Sequence, residues 1–207
     1  MGNLPRRLFA RLSPLAKRVV PRPILRFLLL HVLGVNRPYA ELGNLASRRC
    51  LEGEILPWVG ARYANVLFVG AAPYTHHYEK LFRRGQYTTL DSHPSTAVWG
   101  AADHIRAPVQ DINRHRRPGS FDCVILNGVF GFGVDTVTDQ RAVIEALHQA
   151  MRPGAFLVVG WNTDRHGDPE ALGLFEPFFE RNAEAPWAKR RTFAGETHVY
   201  DFYRRRP

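Results

Sequence analysis

Apolar residues in this chain gather into short uninterrupted runs separated by glycine-rich, acidic or basic turns. Val66-Leu67-Phe68-Val69 is one such run, residues 121–126 are another, and residues 155–159 a third. Runs of this length suit strands buried on both faces, as in a parallel sheet. Between them the apolar period changes. Tyr78, Leu81 and Phe82 recur at helical spacing within residues 75–84, and Gly85 can stop that helix. Residues 139–151 put Val143, Ile144, Leu147 and Met151 on one helical face, ended by Arg152-Pro153-Gly154. Residues 39–58 are mostly helical in pattern and lead into the first strand. Residues 87–90 are β-rich and close on Asp91; residues 96–102 suit a short helix. Residues 104–112 hold a third strand candidate ending in Gln110-Asp111-Ile112. Asp168 can cap a helix that starts at Pro169 and runs through Phe178, and residues 198–203 alternate as a last strand. Strands alternating with helices predict an α/β fold, an open and mostly parallel Rossmann-like sheet with helices on both faces.

Ligands in such sheets bind beyond the carboxyl ends of the strands. Here those ends are residues 70–74, 91–93, 110–112, 127–133 and 160–162, where the sequence turns small, polar or aromatic. The stretch 65–91 is the most informative. A strand runs into Gly70-Ala71-Ala72-Pro73, a helical segment follows, and a second strand ends in a carboxylate about 20 residues beyond the glycine. A turn of this kind brings backbone against a ligand, and the acid accepts hydrogen bonds from ribose hydroxyls.

The 207 residues suffice for one domain with an appendage. Charge separates the two. Residues 1–40 carry eight Lys/Arg and no Asp/Glu, while the rest holds 20 basic and 19 acidic groups. The net charge of +9 therefore belongs to an N-terminal helical arm, residues 1–37, and residues 38–207 form the α/β domain. A basic arm with a nearly neutral domain argues against nucleic acid as partner. The arm mixes its cations with Leu8, Phe9, Leu12, Leu15 and Val19, and continues into the apolar stretch 24–35. That stretch is too short to span a bilayer, which takes about 20 apolar residues. Two roles stay open for it: packing on the domain, or resting on an anionic membrane surface. Two distant cysteines, Cys50 and Cys123, give no disulfide framework or zinc spacing, and no metal site is expected. A reducing compartment follows: cytoplasmic, with peripheral attachment to the inner membrane face if the arm binds lipid.

Taken together, Val66 to Tyr74, Leu90-Asp91, Gln110-Asp111-Ile112 and Met151-Arg152-Pro153-Gly154-Ala155 resemble the class I S-adenosylmethionine-dependent methyltransferases, from about Tyr39 to the C-terminus. The glycine motif is degenerate: Phe68 stands where the family has an acid, Ala72 and Tyr74 stand for later glycines, and Ala155 for the second glycine before the fifth strand. The resemblance implies S-adenosylmethionine as cofactor, held by Gly70, Ala71, Ala72 and Tyr74. It implies ribose contacts at Asp91 with Ser92 beside it, and adenine contacts at Asp111 with Ile112.

The reaction implied is methyl transfer from a sulfonium, which requires alignment of donor and acceptor and exclusion of water. Asn127 opens the loop expected to face the donor methyl and can accept a hydrogen bond from an amine or hydroxyl nucleophile. Phe130 and Phe132 in that loop, with Trp161 and Asn162 after the next strand, are the candidate walls for a small-molecule or lipid-linked acceptor. His93, Asp135 and His166 follow strand ends and are candidate bases. Two other readings stay open. One is a catalytically silent methyltransferase-like module that binds a membrane or partner. The other is a nicotinamide-dependent oxidoreductase, against which stand the missing G-x-G-x-x-G and the missing Tyr-x-x-x-Lys pair.

Overall fold

The computed structural model of the protein describes residues 20–182, 185–187 and 189–207. The predicted amphipathic segment before Val20 lies outside the described residues. An eight-stranded sheet organises the domain, in the order β3 (Asp103–Ile105), β2 (Gln86–Leu90), β1 (Asn65–Val69), β4 (Phe121–Asn127), β5 (Met151–Asn162), β8 (His198–Arg205), β6 (Phe179–Arg181), with β7 (Arg190–Thr192) also on the outer edge of β8. The first five strands are parallel and β8 runs antiparallel to β5. The order reverses beside β1, because β1 pairs with β2 on one side and β4 on the other. The crevice of a doubly wound sheet opens at such a reversal.

The apolar runs form the central strands for the reason anticipated. Leu67, Val124 and Leu157 fill one face of the sheet, and Phe68, Ile125 and Val158 the other, all buried. Helix α5 (Val137–Ala150) covers the first face, and Thr136 caps it by accepting from the Asp139 N–H at 3.1 Å, so it starts two residues before the predicted 139. The opposite face is covered by a helical run made of α2 (Ala46–Cys50), a π turn (Leu51–Ile55) and α3 (Leu56–Arg62). Pro57 has no N–H to donate inside this run, and the wider π turn just before it accommodates the loss. Leu51, Ile55, Leu56 and Val59 are fully buried on the sheet.

Four predicted elements are corrected. In place of the short helix over residues 96–102 stands a 3-10 turn, Pro94–Thr96, followed by irregular turns. Residues 75–84 form only a 3-10 turn, Tyr78–Leu81. Thr75 Oγ1 bonds both the N–H and the carbonyl of Ala72, and this local bonding competes with an α-helix. The helix foreseen after Asp168 stops within one turn, because Gly173 adopts φ +64°. The third strand ends at Ile105. Asp111 lies in a 3-10 turn (Val109–Asp111) and Ile112 begins the short helix α4 (Ile112–His115).

Ahead of the domain, α1 (Arg22–Phe27) continues into a π-helical stretch, Leu28–Val32. Its Leu25 and Leu29 pack on Ala71, Val98 and Trp99. Arg22 Nη1 donates to the Ala101 carbonyl at 2.9 Å, Arg26 Nε to that of Val98 at 2.6 Å, and Arg26 Nη2 to that of Gly100. The arm from Val20 onward therefore packs on the domain.

Candidate functional site

Gly70 ends β1 at φ +97°, a left-handed conformation that side chains resist. Its N–H donates to the Leu90 carbonyl at 2.8 Å, and its Cα faces the Asn127 carbonyl, which a Cβ there would meet at 3.4 Å. The register Val69↔Leu126 explains the approach: β1 and β4 leave the sheet side by side. Asp91, at the end of β2, reaches the turn that follows the neighbouring β1. Its Oδ2 accepts from the Ala71 N–H at 2.9 Å and its Oδ1 from the His93 N–H at 2.8 Å. A carboxylate has about four lone-pair sites, so two remain for hydroxyl donors.

Ala72 N–H is taken by Thr75 Oγ1 at 3.0 Å. The amides of Gly70, Ala71 and Ala72 are thus all engaged within the chain. Tyr74 does not crowd the turn. Its ring lies 5.1 Å from that of Tyr39 and beneath the Arg48 guanidinium, 4.4 Å away. Ser92 is exposed beside Asp91.

Asn127 closes β4 opposite Gly160 and Tyr200, since Asn127 pairs with Gly160 and Gly160 with Tyr200. The Asn127 side chain lies over Gly160, where a Cβ would stand 2.0 Å from Oδ1. That Oδ1 is buried and has no hydrogen-bond partner among the described residues. Asp111 lies in its 3-10 turn, 3.4 Å from the exposed Arg114, and Ile112 is fully buried in the core. Phe130 (1% exposed) and Trp161 (3% exposed) are packed in the core beneath the loops, and Phe132 carries the exposed ring of the glycine-rich loop. Trp161 Nε1 donates to Asp201 at 2.8 Å.

The earlier base candidates are tied locally. His93 Nδ1 bonds Ser95, Asp135 accepts from the Gly133 N–H, and His166 Nδ1 lies 2.6 Å from the Gly167 carbonyl. Sequence reasoning named Asn162 as an acceptor wall and missed its partner, His198. Asn162 Nδ2 donates to Thr197 Oγ1 at 3.0 Å, which turns Asn162 Oδ1 toward His198 Nδ1, 3.0 Å away. This arrangement puts the proton of His198 on Nδ1 and leaves Nε2 as an acceptor, buried and without a partner among the described residues. Burial, and then the Arg48 charge, push the His198 imidazole down to about 4, with Glu196 opposing. The ring meets Tyr200 at 4.6 Å. Arg48 itself donates to the Tyr78 hydroxyl at 2.6 Å, and that hydroxyl donates to Glu52 at 2.6 Å. Only the i,i+4 spacing of Arg48 and Glu52 was visible in the sequence. His198 and Asn162 lie on antiparallel neighbours 36 residues apart, so no local pattern joins them.

Solved structures share this fold. The N-methyltransferase NodS of Bradyrhizobium japonicum WM9 superposes with a TM-score of 0.59 at 15% identity, over 78% of this chain and 96% of that one. A second structure of NodS, in complex with S-adenosylhomocysteine, gives 0.59 at 15%, over 77% and 86%. The Burkholderia thailandensis 1,6-didemethyltoxoflavin-N1-methyltransferase, with 1,6-didemethyltoxoflavin and S-adenosylhomocysteine bound, gives 0.56 at 18%, over 89% and 88%. The chain thus has the Rossmann-like fold of class I S-adenosylmethionine-dependent methyltransferases. No protein-family model and no curated protein sequence matches it.

Proposed function

We propose that the protein is a methyltransferase that uses S-adenosylmethionine and methylates a small-molecule or lipid-linked acceptor. The observation that carries this reading is the bridge from Asp91 to the Ala71 N–H, which sets a half-free carboxylate at the crevice beside Gly70. The spare lone pairs of Asp91 suit the ribose hydroxyls. The orphan Oδ1 of Asn127, over Gly160 at the end of β5, suits an N–H or O–H group of donor or acceptor. Gly70 and Tyr74 would hold the methionine portion, with Arg48 above the Tyr74 ring. When bound, the cofactor supplies an electrophilic methyl group on a sulfonium. The chain aligns the acceptor and keeps water away.

Transfer to a hydroxyl or amine forms a carbon–oxygen or carbon–nitrogen bond and releases one proton. In our reading the Nε2 of His198 takes that proton, directly or through one water, while Asn162 holds the tautomer. The low proton affinity of this imidazole keeps it neutral at physiological pH.

Calorimetry with S-adenosylhomocysteine and, separately, with NAD tests the reading. Saturable binding of the first and none of the second is expected. Binding of NAD alone would replace the methyltransferase with an oxidoreductase.

A further inference from the structure

The helical segment from Arg22 to Val32 has two apolar sides. Leu25 and Leu29 are buried on the domain. Ile24, Phe27, Leu28 and Val32 point the other way and are 53%, 59%, 42% and 65% exposed. These four recur at three- and four-residue intervals, so they form one stripe along the helix. Large apolar side chains gathered in such a stripe mark an interaction surface, whereas scattered ones need no explanation.

The charges around the stripe select its partner. Lys80 lines the same groove as Phe27 and His31 and is exposed, and the exposed Arg83 and Arg84 follow it. The one acid in that groove, Glu79, accepts from the Ala102 N–H at 3.0 Å. The chain leading into the helix carries Arg6, Arg7, Arg11, Lys17 and Arg18, interspersed with leucines, and has no acid. An apolar stripe with Lys80 beside it, joined to an acid-free basic stretch of chain, matches the acyl and headgroup layers of an anionic bilayer. Among the described residues no helix is long and apolar enough to cross a membrane.

We infer that this stripe docks the protein on an anionic lipid surface, with Phe27 and Val32 inserted below the headgroups. The same helix packs through Leu25 and Leu29 on Ala71 and Trp99, in the loops that follow β1 and β2. Docking therefore turns the edge of the candidate donor crevice toward the membrane. The surface stands on its own geometry and does not depend on the methyltransferase reading.

Co-sedimentation of the full-length protein with vesicles tests the inference. The probes are phosphatidylglycerol-rich and pure phosphatidylcholine vesicles, at low and high salt. The variants are Phe27→Ser/Val32→Ser, which removes the apolar part without adding charge, and Lys80→Gln/Arg83→Gln/Arg84→Gln. All these positions are exposed, so the fold is retained, and circular dichroism verifies it. The wild type is expected to partition about tenfold or more in favour of anionic vesicles, and to release with salt. The apolar variant is expected to lose about tenfold in partitioning, and the charge variant to lose its preference for anionic lipid. Equal partitioning onto both vesicle types would overturn the inference, as would unchanged partitioning of the apolar variant. So would a wild type that ignores vesicles. In that case a mass change of the apolar variant in sedimentation equilibrium would assign the stripe to a second copy.

Discussion

The main-chain N–H of Ala71 donates to the carboxylate of Asp91 at 2.9 Å, joining the end of β1 to the end of its neighbour β2. Twenty residues separate the two in sequence, and the parallel register Val69↔Leu90 brings them together. The acid thus holds the glycine turn in shape and keeps lone pairs for a ligand. Asp91→Ala is expected to weaken S-adenosylhomocysteine binding by about 1.5–3 kcal/mol, the worth of a charge-assisted hydrogen bond. Titration calorimetry on the two proteins reads the difference, and unchanged affinity would remove Asp91 from the site.

Asn127 and Phe130 belong to one loop but have different surroundings. Asn127→Ala is expected to lower turnover far more than donor affinity, because its Oδ1 is an orphan acceptor beside Gly160. Phe130→Ala removes a ring that is 1% exposed and is expected to cost about 3–5 kcal/mol of stability, as large-to-small core substitutions do. Urea denaturation checks the second, and steady-state kinetics with an identified acceptor check the first.

Asp201 is fully buried. It accepts from Trp161 Nε1 at 2.8 Å, Arg181 Nη1 at 2.8 Å and Arg190 Nε at 2.7 Å. Arg190 also holds Asp168, so this carboxylate ties β6, β7 and the turn after β5 to β8. Asp201→Ala would leave two guanidinium groups without their buried partner, a loss of about 3–5 kcal/mol. A variant as stable as the wild type in urea would contradict this.

His198 links stability to pH. Its imidazole is pushed from the ordinary value near 6.5 down to about 4 by burial and then by the Arg48 charge. Between those values the unfolded chain binds the proton and the folded chain does not, so unfolding becomes easier as pH falls through that window. At 1.36 kcal/mol per unit, the contribution present above pH 6.5 and lost near pH 4 is about 3 kcal/mol. His198→Gln is expected to flatten the pH dependence of the urea midpoint across this window, although His76, His77 and His104 are shifted in the same direction. The same variant is expected to lower turnover, and loss of the acid limb of the rate profile would separate proton transfer from packing.

What the sequence made legible was what local pattern controls. Continuous apolar runs gave β1, β4 and β5, and the acid closing β2 lay where the strand ended. The reversal beside β1 followed from the fold class and is present in the pairing of Val69 with Leu126. Elements decided by side-chain bonding were not legible. Thr75 diverts a helical pattern into a 3-10 turn, and Gly173 cuts another helix short. Asp111 read as a strand-end acid, but β3 stops at Ile105 and Asp111 lies in the 3-10 turn that follows. The His198–Asn162 pair exists only because β8 returns antiparallel beside β5, a long-range pairing that no local signal announces.

The most direct measurement is an amide NMR spectrum of the isotope-labelled protein titrated with S-adenosylhomocysteine. Gly70, Ala71, Asp91, His93 and Gly128 lie along the ends of β1, β2 and β4 and report on the crevice. Saturable shifts concentrated at these amides, absent in Asp91→Ala at the same concentration, are the expected result. A spectrum unchanged at saturating ligand, or shifts confined to residues away from these strand ends, would contradict a donor site between Gly70 and Asp91.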